Sequence, residues 1–351
     1  MPKLKFTLCS LIRRCRRVWR GGWMSLRKTP ISKSCRIKVG ITIGDPSGIG
    51  PFITIKAVNQ LPDIADLVII GDSSLLSKIP GFRNLKKRKI RVVDLKNVAK
   101  KGFKPGKVKA EYGKASIEYL DRAVRLIKAK ELDCLVTAPI SKEAINLAGF
   151  DYSGHTEYFA RKTNSKDLVM MLLNKHLRFS LVTRHIRLKD VPGQLSINRI
   201  CQVTRVTYSA LKNIFGISYP KIVICGLNPH ASDNGLIGTE ERTILSPAVK
   251  KLSSELAGIT GPLPSDIAIV KALKKEFDAA IVMYHDQALI PLKITGMDGG
   301  VNITLGLEFV RTSPLHGTAF DIARTKGPAN CNSMISAIRL ALKCASIQRK
   351  D

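Results

Sequence analysis

The chain has 351 residues, 44% of them apolar, and a formal net charge of +31. That length carries one large or two medium domains with a real core, and no apolar run approaches the roughly 20 residues that a bilayer crossing needs. Eight cysteines without a C-x-x-C pair exclude a disulfide framework and a zinc ribbon, so the chain is read as a soluble protein of the reducing cytoplasm.

The charge is uneven. Residues 1–40 hold twelve Lys and Arg side chains and no acidic one, the first being Asp45. Residues 1–35 are therefore set apart as a basic, disordered extension. It is an arm or a stretch ahead of a start at Met24, in preference to an organellar transit peptide. The basic body favours anionic ligands. It carries no recognition motif with aromatic stacking, so no specific nucleic-acid partner is expected.

From residue 36 the pattern becomes regular. Strand-like runs fall at 37–43, 66–71, 90–93, 133–137, 168–173, 179–183, 221–226, 278–284 and 300–305. Helical periodicities lie between many of them, at 113–129, 141–148, 156–161, 198–214, 240–256 and 266–276, and a last amphipathic helix covers 332–344. Such alternation predicts an α/β domain with a mostly parallel sheet. Residues 96–112, rich in Lys and Gly, are read as a surface excursion.

The first strand leads into Gly44-Asp45-Pro46-Ser47-Gly48-Ile49-Gly50-Pro51. It is either a tight strand-to-helix turn or a loop whose N–H groups face an anion; it matches neither the dinucleotide nor the P-loop fingerprint. In Gly154-His155-Thr156-Glu157, Thr156 is a candidate N-cap and His155 projects at a helix mouth.

Three of the six histidines, His185, His230 and His285, close three separate predicted strands. Ligands collect where parallel strands end, and neutral imidazoles suit a divalent transition metal with positions left open for substrate. Asp266 and Asp286 are placed to orient a ligand or act as a base. Lys293, Asn302 and Arg311, nine residues apart, suit a phosphate or carboxylate. The Gly- and Asn-rich loop 228–241 is long enough to be functional or to be an ordinary connection.

Taken together, GDPSGIGP (44–51), VTAPISK (136–142), GHTEYFA (154–160), VTRHIRLKDV (182–191), CGLNPHA (225–231), GPLPSD (261–266), MYHDQ (283–287), GVNITLGL (300–307) and RTSPLHGTAFDIA (311–323) resemble the 4-hydroxythreonine-4-phosphate dehydrogenase family of vitamin B6 biosynthesis. The resemblance runs from residue 38 to the C-terminus and leaves residues 1–35 without a counterpart. It implies an isocitrate/isopropylmalate dehydrogenase-like α/β fold over 36–351, with helices on both faces of the sheet and two interleaved subdomains around an active-site cleft. It also implies a homodimer with shared active sites, NAD as oxidant, and one divalent metal (zinc, magnesium or cobalt) per subunit.

Carried over by motif, His185, His230 and His285 would be the metal ligands. His155, Thr156, Lys293, Asn302 and Arg311 would contact a phosphorylated substrate, and Asp266, Asp286 and Lys293 would serve catalysis; no residue is assigned to the dinucleotide. The alternative within the resemblance is a paralogue acting on threonate or erythronate 4-phosphate. A nucleic-acid-binding protein on a retired scaffold is the remote one. The chain departs from the family pattern at Phe52, Arg184, Arg187, Ala288, Glu308 and Pro314-Leu315, where Glu or Asp, Thr, Pro, Gly, Pro and Val-Asp are usual.

Overall fold

Buried apolar runs set the architecture, which the computed structural model describes for residues 36–349 apart from Lys100, Ser153 and Lys326. The extension assigned to residues 1–35 lies outside the described residues. The strands are β1 (Lys38–Thr42), β2 (Asp66–Gly71), β3 (Arg91–Asp94), β4 (Cys134–Thr137), β5 (Val169–Leu173), β6 (Arg178–Leu181), β7 (Ile222–Cys225), β8 (Ile259–Leu263), β9 (Ala279–Val282), β10 (Val301–Leu305) and β11 (Val310–Pro314). They form one sheet in the order β3-β2-β1-β4-β11-β10-β5-β6-β9-β7-β8. No helix among the described residues is long and apolar enough to cross a membrane.

The sheet is mostly parallel, with one antiparallel stretch in its middle. β3, β2, β1, β4 and β11 run parallel to one another, and so do β6, β9, β7 and β8. The three antiparallel steps between them, through β10 and β5, leave the two parallel sets running in opposite directions. Central strands β4, β7 and β9 are buried at every position, as expected of parallel strands covered on both faces. Cys134 and Cys225 are fully buried within them, as small apolar residues would be.

Nine strand expectations match to within a few residues. β8 and β11 were not anticipated, because Gly and Pro in Ile259–Leu263 read as breakers and Arg, Ser and Pro in Val310–Pro314 read as polar loop. β8 tolerates its proline at the sheet edge. The helix His285–Gly296 was also missed, since it begins on a histidine and carries Pro291 within it.

The turn after β1 shows why its glycines are there. Gly44 has φ +70°, and a Cβ on it would meet Pro139 O at 2.2 Å; one on Gly50 would meet Ile43 O at 2.1 Å. The backbone of Gly50–Gln60 thus enters close against β1. The turn also joins three distant segments: Asp45 N donates to Pro139 O (2.9 Å), Ile49 N to Thr318 O (2.9 Å) and Gly106 N to Ser47 O (2.7 Å). Asp45 is fully buried. Its Oδ1 accepts from Ser47 N at 2.9 Å, while its buried Oδ2 has no partner.

Burial raises the Asp45 carboxyl from 3.8 to about 6, against the opposing hydrogen bonds from Ser47 and Gly48. The folded state therefore binds this proton more tightly than the unfolded chain. Stability falls as pH rises between those values, by on the order of 3 kcal/mol once both states are ionised. Asp45→Asn, which keeps an acceptor for Ser47 N, should melt at higher temperature than wild type at about pH 7.5 and lose that advantage below about pH 4. Thermal melts at the two pH values check this.

Candidate active site

A cleft of about 790 Å³ crosses the sheet face at the direction change. Side chains alternate across a sheet, and the register puts Arg311 beside Thr304 on β10, which in turn faces Met170 on β5. Arg311, Ser313, Asn302 and Met170 accordingly form the floor. One wall follows β4 and β11 (Pro139, Ile140, Lys142, His316, Gly317), and the other follows β6 (Val182 to Ile186). The first turn of the helix His155–Thr163 spans between them, where Glu157 Oε1 meets Arg184 Nη1 at 3.3 Å.

Arg311 is the main electrostatic feature of the floor. It is 1% exposed, and its guanidinium donates to Thr137 Oγ1 (Nε, 3.1 Å) and Thr304 Oγ1 (Nη1, 3.0 Å). Its partners are hydroxyls, and the guanidinium also lies 5.6 Å from the Phe159 ring centroid. Burial alone pushes it down to about 9, so it remains a cation at neutral pH, and among the described residues no carboxylate pairs with it. Around it, the buried atoms His155 Nε2, Asn302 Oδ1 and His316 Nε2 have no hydrogen-bond partner. Burial, then Arg311, holds the His155 imidazole well below its usual value. Unsatisfied buried polar atoms around an unpaired cation call for a ligand.

The histidines that close predicted strands follow three adjacent parallel strands, β6, β9 and β7. The rings of His185 and His285 lie 5.3 Å apart. Thr183 ties their loops together, its Oγ1 donating to Met283 O at 2.6 Å. Asp286 Oδ1 lies 2.7 Å from His285 Nδ1, a contact that leaves Nε2 as the free ring nitrogen. Burial first, then Lys142, His285 and Arg184, lower His185, favouring the neutral imidazole.

Gln287, 7% exposed, joins the ends of β9 and β7. Its Oε1 accepts from Met283 N (2.6 Å), and its Nε2 donates to Gly226 O (2.9 Å) and Ser265 Oγ (2.6 Å). His230 stands on the β7 loop, where His230 to Asn234 all adopt left-handed backbone (φ 53, 53, 67, 43 and 56°), a costly run for residues other than glycine. Buried Glu241 anchors the root of that loop by accepting from Leu227 N (2.8 Å) and Asn228 N (2.7 Å).

His155, Thr156, Asn302, Arg311 and His185 thus share one cleft, and His285 adjoins it through His185. His230, Asp266, Asp286 and Lys293 are exposed and do not line it. Among the described residues no three His, Cys, Asp or Glu side chains converge closely enough to hold a metal. His185 and His285 suit a divalent transition metal by donor type, but the single chain does not assemble the full set.

The sequence assigned no role to Lys142, Glu157 and Arg199 of the cleft, and marked Arg184 only as a departure from the family pattern. Lys142, Glu157 and Arg184 sat inside motifs already noted, whereas nothing in the sequence marked Arg199. Of the departures from the family pattern, Arg187 pairs with Asp190 at 2.6 Å, and Pro314 lines the cleft.

Comparison with known proteins bears on this arrangement. Residues 60–341 match the family described as Pyridoxal phosphate biosynthetic protein PdxA. The chain is 43% identical to a 4-hydroxythreonine-4-phosphate dehydrogenase of Sulfurihydrogenibium sp. over 89% of its own length and 100% of that protein. It is 39% identical to a D-threonate 4-phosphate dehydrogenase of Salmonella typhimurium, over 88% of its length and 98% of that protein. Among solved structures, a 4-hydroxythreonine-4-phosphate dehydrogenase from Klebsiella pneumoniae superposes with a TM-score of 0.78 at 36% identity, covering 89% of this chain and 100% of that one. With most of its length matched both to the family and to such relatives, the chain belongs to the family of pyridoxal phosphate biosynthetic protein PdxA.

Proposed function

We propose that the protein oxidises the secondary alcohol of 4-phosphohydroxy-L-threonine with NAD and releases CO2, giving 3-amino-2-oxopropyl phosphate for pyridoxal 5'-phosphate synthesis. The observation that carries this reading is the buried, uncompensated Arg311 beneath a cleft of otherwise unsatisfied polar atoms. A phosphate supplies the missing negative charge and can accept two hydrogen bonds from one guanidinium. The nine-residue helix His155–Thr163 adds N–H donors and a positive dipole end at Thr156, and Asn302 fixes the orientation. Anchoring the phosphate holds the alcohol carbon at one place in the cleft.

Bound NAD would supply the hydride acceptor for that carbon. The resulting β-keto acid loses CO2 readily. His185, His230 and His285 are the candidate holders of a divalent metal, zinc, magnesium or cobalt, which when bound would polarise the alcohol oxygen and stabilise negative charge after CO2 leaves. Asp286 keeps His285 oriented through Nδ1.

Asp266 and Lys293 are read as reaching the site of a second copy. Lys293 shares a helix face with Ile290 (58% exposed) and Ile294 (80%), and Asp266 adjoins Ile267 (47%). Exposed aliphatic side chains around polar site residues support a homodimer with shared active sites. The two parallel sets of strands correspond to the two subdomains in this reading. The relative that acts on D-threonate 4-phosphate supports a second reading, oxidation of an acid-sugar phosphate with a hydroxyl in place of the amino group.

NADH formation from 4-phosphohydroxy-L-threonine should be sensitive to chelator and abolished in His285→Ala. A clear preference for D-threonate 4-phosphate in side-by-side kinetics would overturn the B6 assignment. Arg311→Met should lower kcat/KM by roughly 100-fold or more, through loss of a buried charge-assisted contact. The double variant Ile290→Asp, Ile294→Asp should sediment as a monomer and lose turnover. A dimer that survives both substitutions would place the interface elsewhere.

A further inference from the structure

Arg311 leaves a second group of cations in the cleft unexplained. Arg184 follows β6, and Arg199 lies in the first turn of the helix Ile197–Asn213; both line the wall that carries His185. Arg199 donates from Nε to Val182 O (3.3 Å) and from Nη1 to Gln202 Oε1 (2.7 Å). Both partners are neutral, and among the described residues no carboxylate forms an ion pair with Arg199. Arg184 has a counter-charge in Glu157 at 3.3 Å, the one carboxylate among the residues that line the cleft. Among the residues that line the cleft, cations therefore outnumber carboxylates. Burial, then the neighbouring Arg184, lowers Arg199, against the opposing charge of Asp167.

This second pole is separate from the first. β10 and β5 lie between β11, which carries Arg311, and β6, which puts the strands roughly 14 Å apart. Long side chains reaching inward from both sides shorten that gap toward the length of a phosphorylated four-carbon acid. Such an acid has an anion at each end, a phosphate and a carboxylate. Arg311, deep in the floor among hydroxyl and imidazole partners, suits the phosphate. Resting on the reading of the site as one for a phosphorylated hydroxy acid, we infer that Arg199, with Arg184 beside it, is the carboxylate subsite and fixes which end of the substrate lies toward His185.

The pair selects for carboxylates. A phosphate ester lacking the carboxylate meets Arg311 alone and leaves the second pole uncompensated. Glu157 limits the excess charge by holding Arg184, so Arg199 is the principal contact. The other anion available in such a reaction is the dinucleotide pyrophosphate, and the two sources make different predictions.

Calorimetric titration of the full chain with 3-phosphoglycerate and with glycerol 3-phosphate isolates the carboxylate, since the ligands differ at that group. Wild type should bind 3-phosphoglycerate about tenfold more tightly, the scale of one charge-assisted contact. Arg199→Gln should abolish the difference while leaving glycerol 3-phosphate affinity unchanged, and Arg199→Lys should keep part of it. Thermal melts of both variants establish that they are folded, and Arg184→Thr gives a second variant that leaves the Val182 contact intact.

A difference that is absent in wild type, or that persists in Arg199→Gln, overturns the subsite. Equal weakening of both ligands overturns it in favour of a phosphate contact. Weaker NAD binding with the carboxylate difference intact overturns it in favour of the pyrophosphate. Failure of the functional reading is distinguishable: wild type would then show the carboxylate difference yet form no NADH from 4-phosphohydroxy-L-threonine.

Discussion

A guanidinium removed from water and given only hydroxyl partners is expensive, and Arg311 is held in that state by residues from several elements. Thr137 on β4, Thr304 on β10 and Phe159 on the helix His155–Thr163 all contact it. Removing an ion from water costs several kcal/mol even after relaxation, and hydroxyl dipoles return only part of that. The fold carries this cost where the sheet changes direction. Packing around β4, β11 and β10 thus stabilises a charge that only an anionic ligand completes.

The direction change matters equally. In a uniformly parallel sheet all strand ends of one kind would lie along one edge. Here the antiparallel steps through β10 and β5 bring loops from two oppositely directed parallel sets to a shared cleft. One set contributes the Arg311 floor and the Lys142 wall; the other contributes the loop of His185, which His285 adjoins, while His230 lies outside the cleft. The two meet directly in the Glu157–Arg184 pair. Gln287, Thr183 and Glu241 hold the second set of loops by hydrogen bonds to backbone, which fixes ring positions more firmly than side-chain packing on exposed loops would.

The basic character of the chain has a local counterpart. Within the cleft, Lys142, Arg184, Arg199 and Arg311 face a single carboxylate. That imbalance would be destabilising in a closed core, and it is tolerable in a cleft open to anions that offset it. The charge of the whole chain adds long-range attraction for anions.

Much of the fold was legible because its information is local. Short apolar runs bounded by Gly, Pro and polar residues marked nine strands, and helical periodicity marked the long helices between them. The motif residues His155, Thr156, Asn302 and Arg311 were legible as site candidates and do lie in one cleft. β11 was hidden because it carries the buried Arg311 of the cleft floor, so the strand does not read as apolar. The helix from His285 was hidden because a proline and a polar start disguise its period.

The sequence by itself determined the alternation of strands and helices and the residue types able to bind an anion or a metal. Tertiary structure alone decided that β6, β9 and β7 are neighbours, that Arg311 has no counter-charge among the described residues, and that Arg199 faces the same cavity from more than a hundred residues away. Those are matters of strand order and burial. They depend on which surfaces meet in the folded chain, and one-dimensional spacing does not encode that.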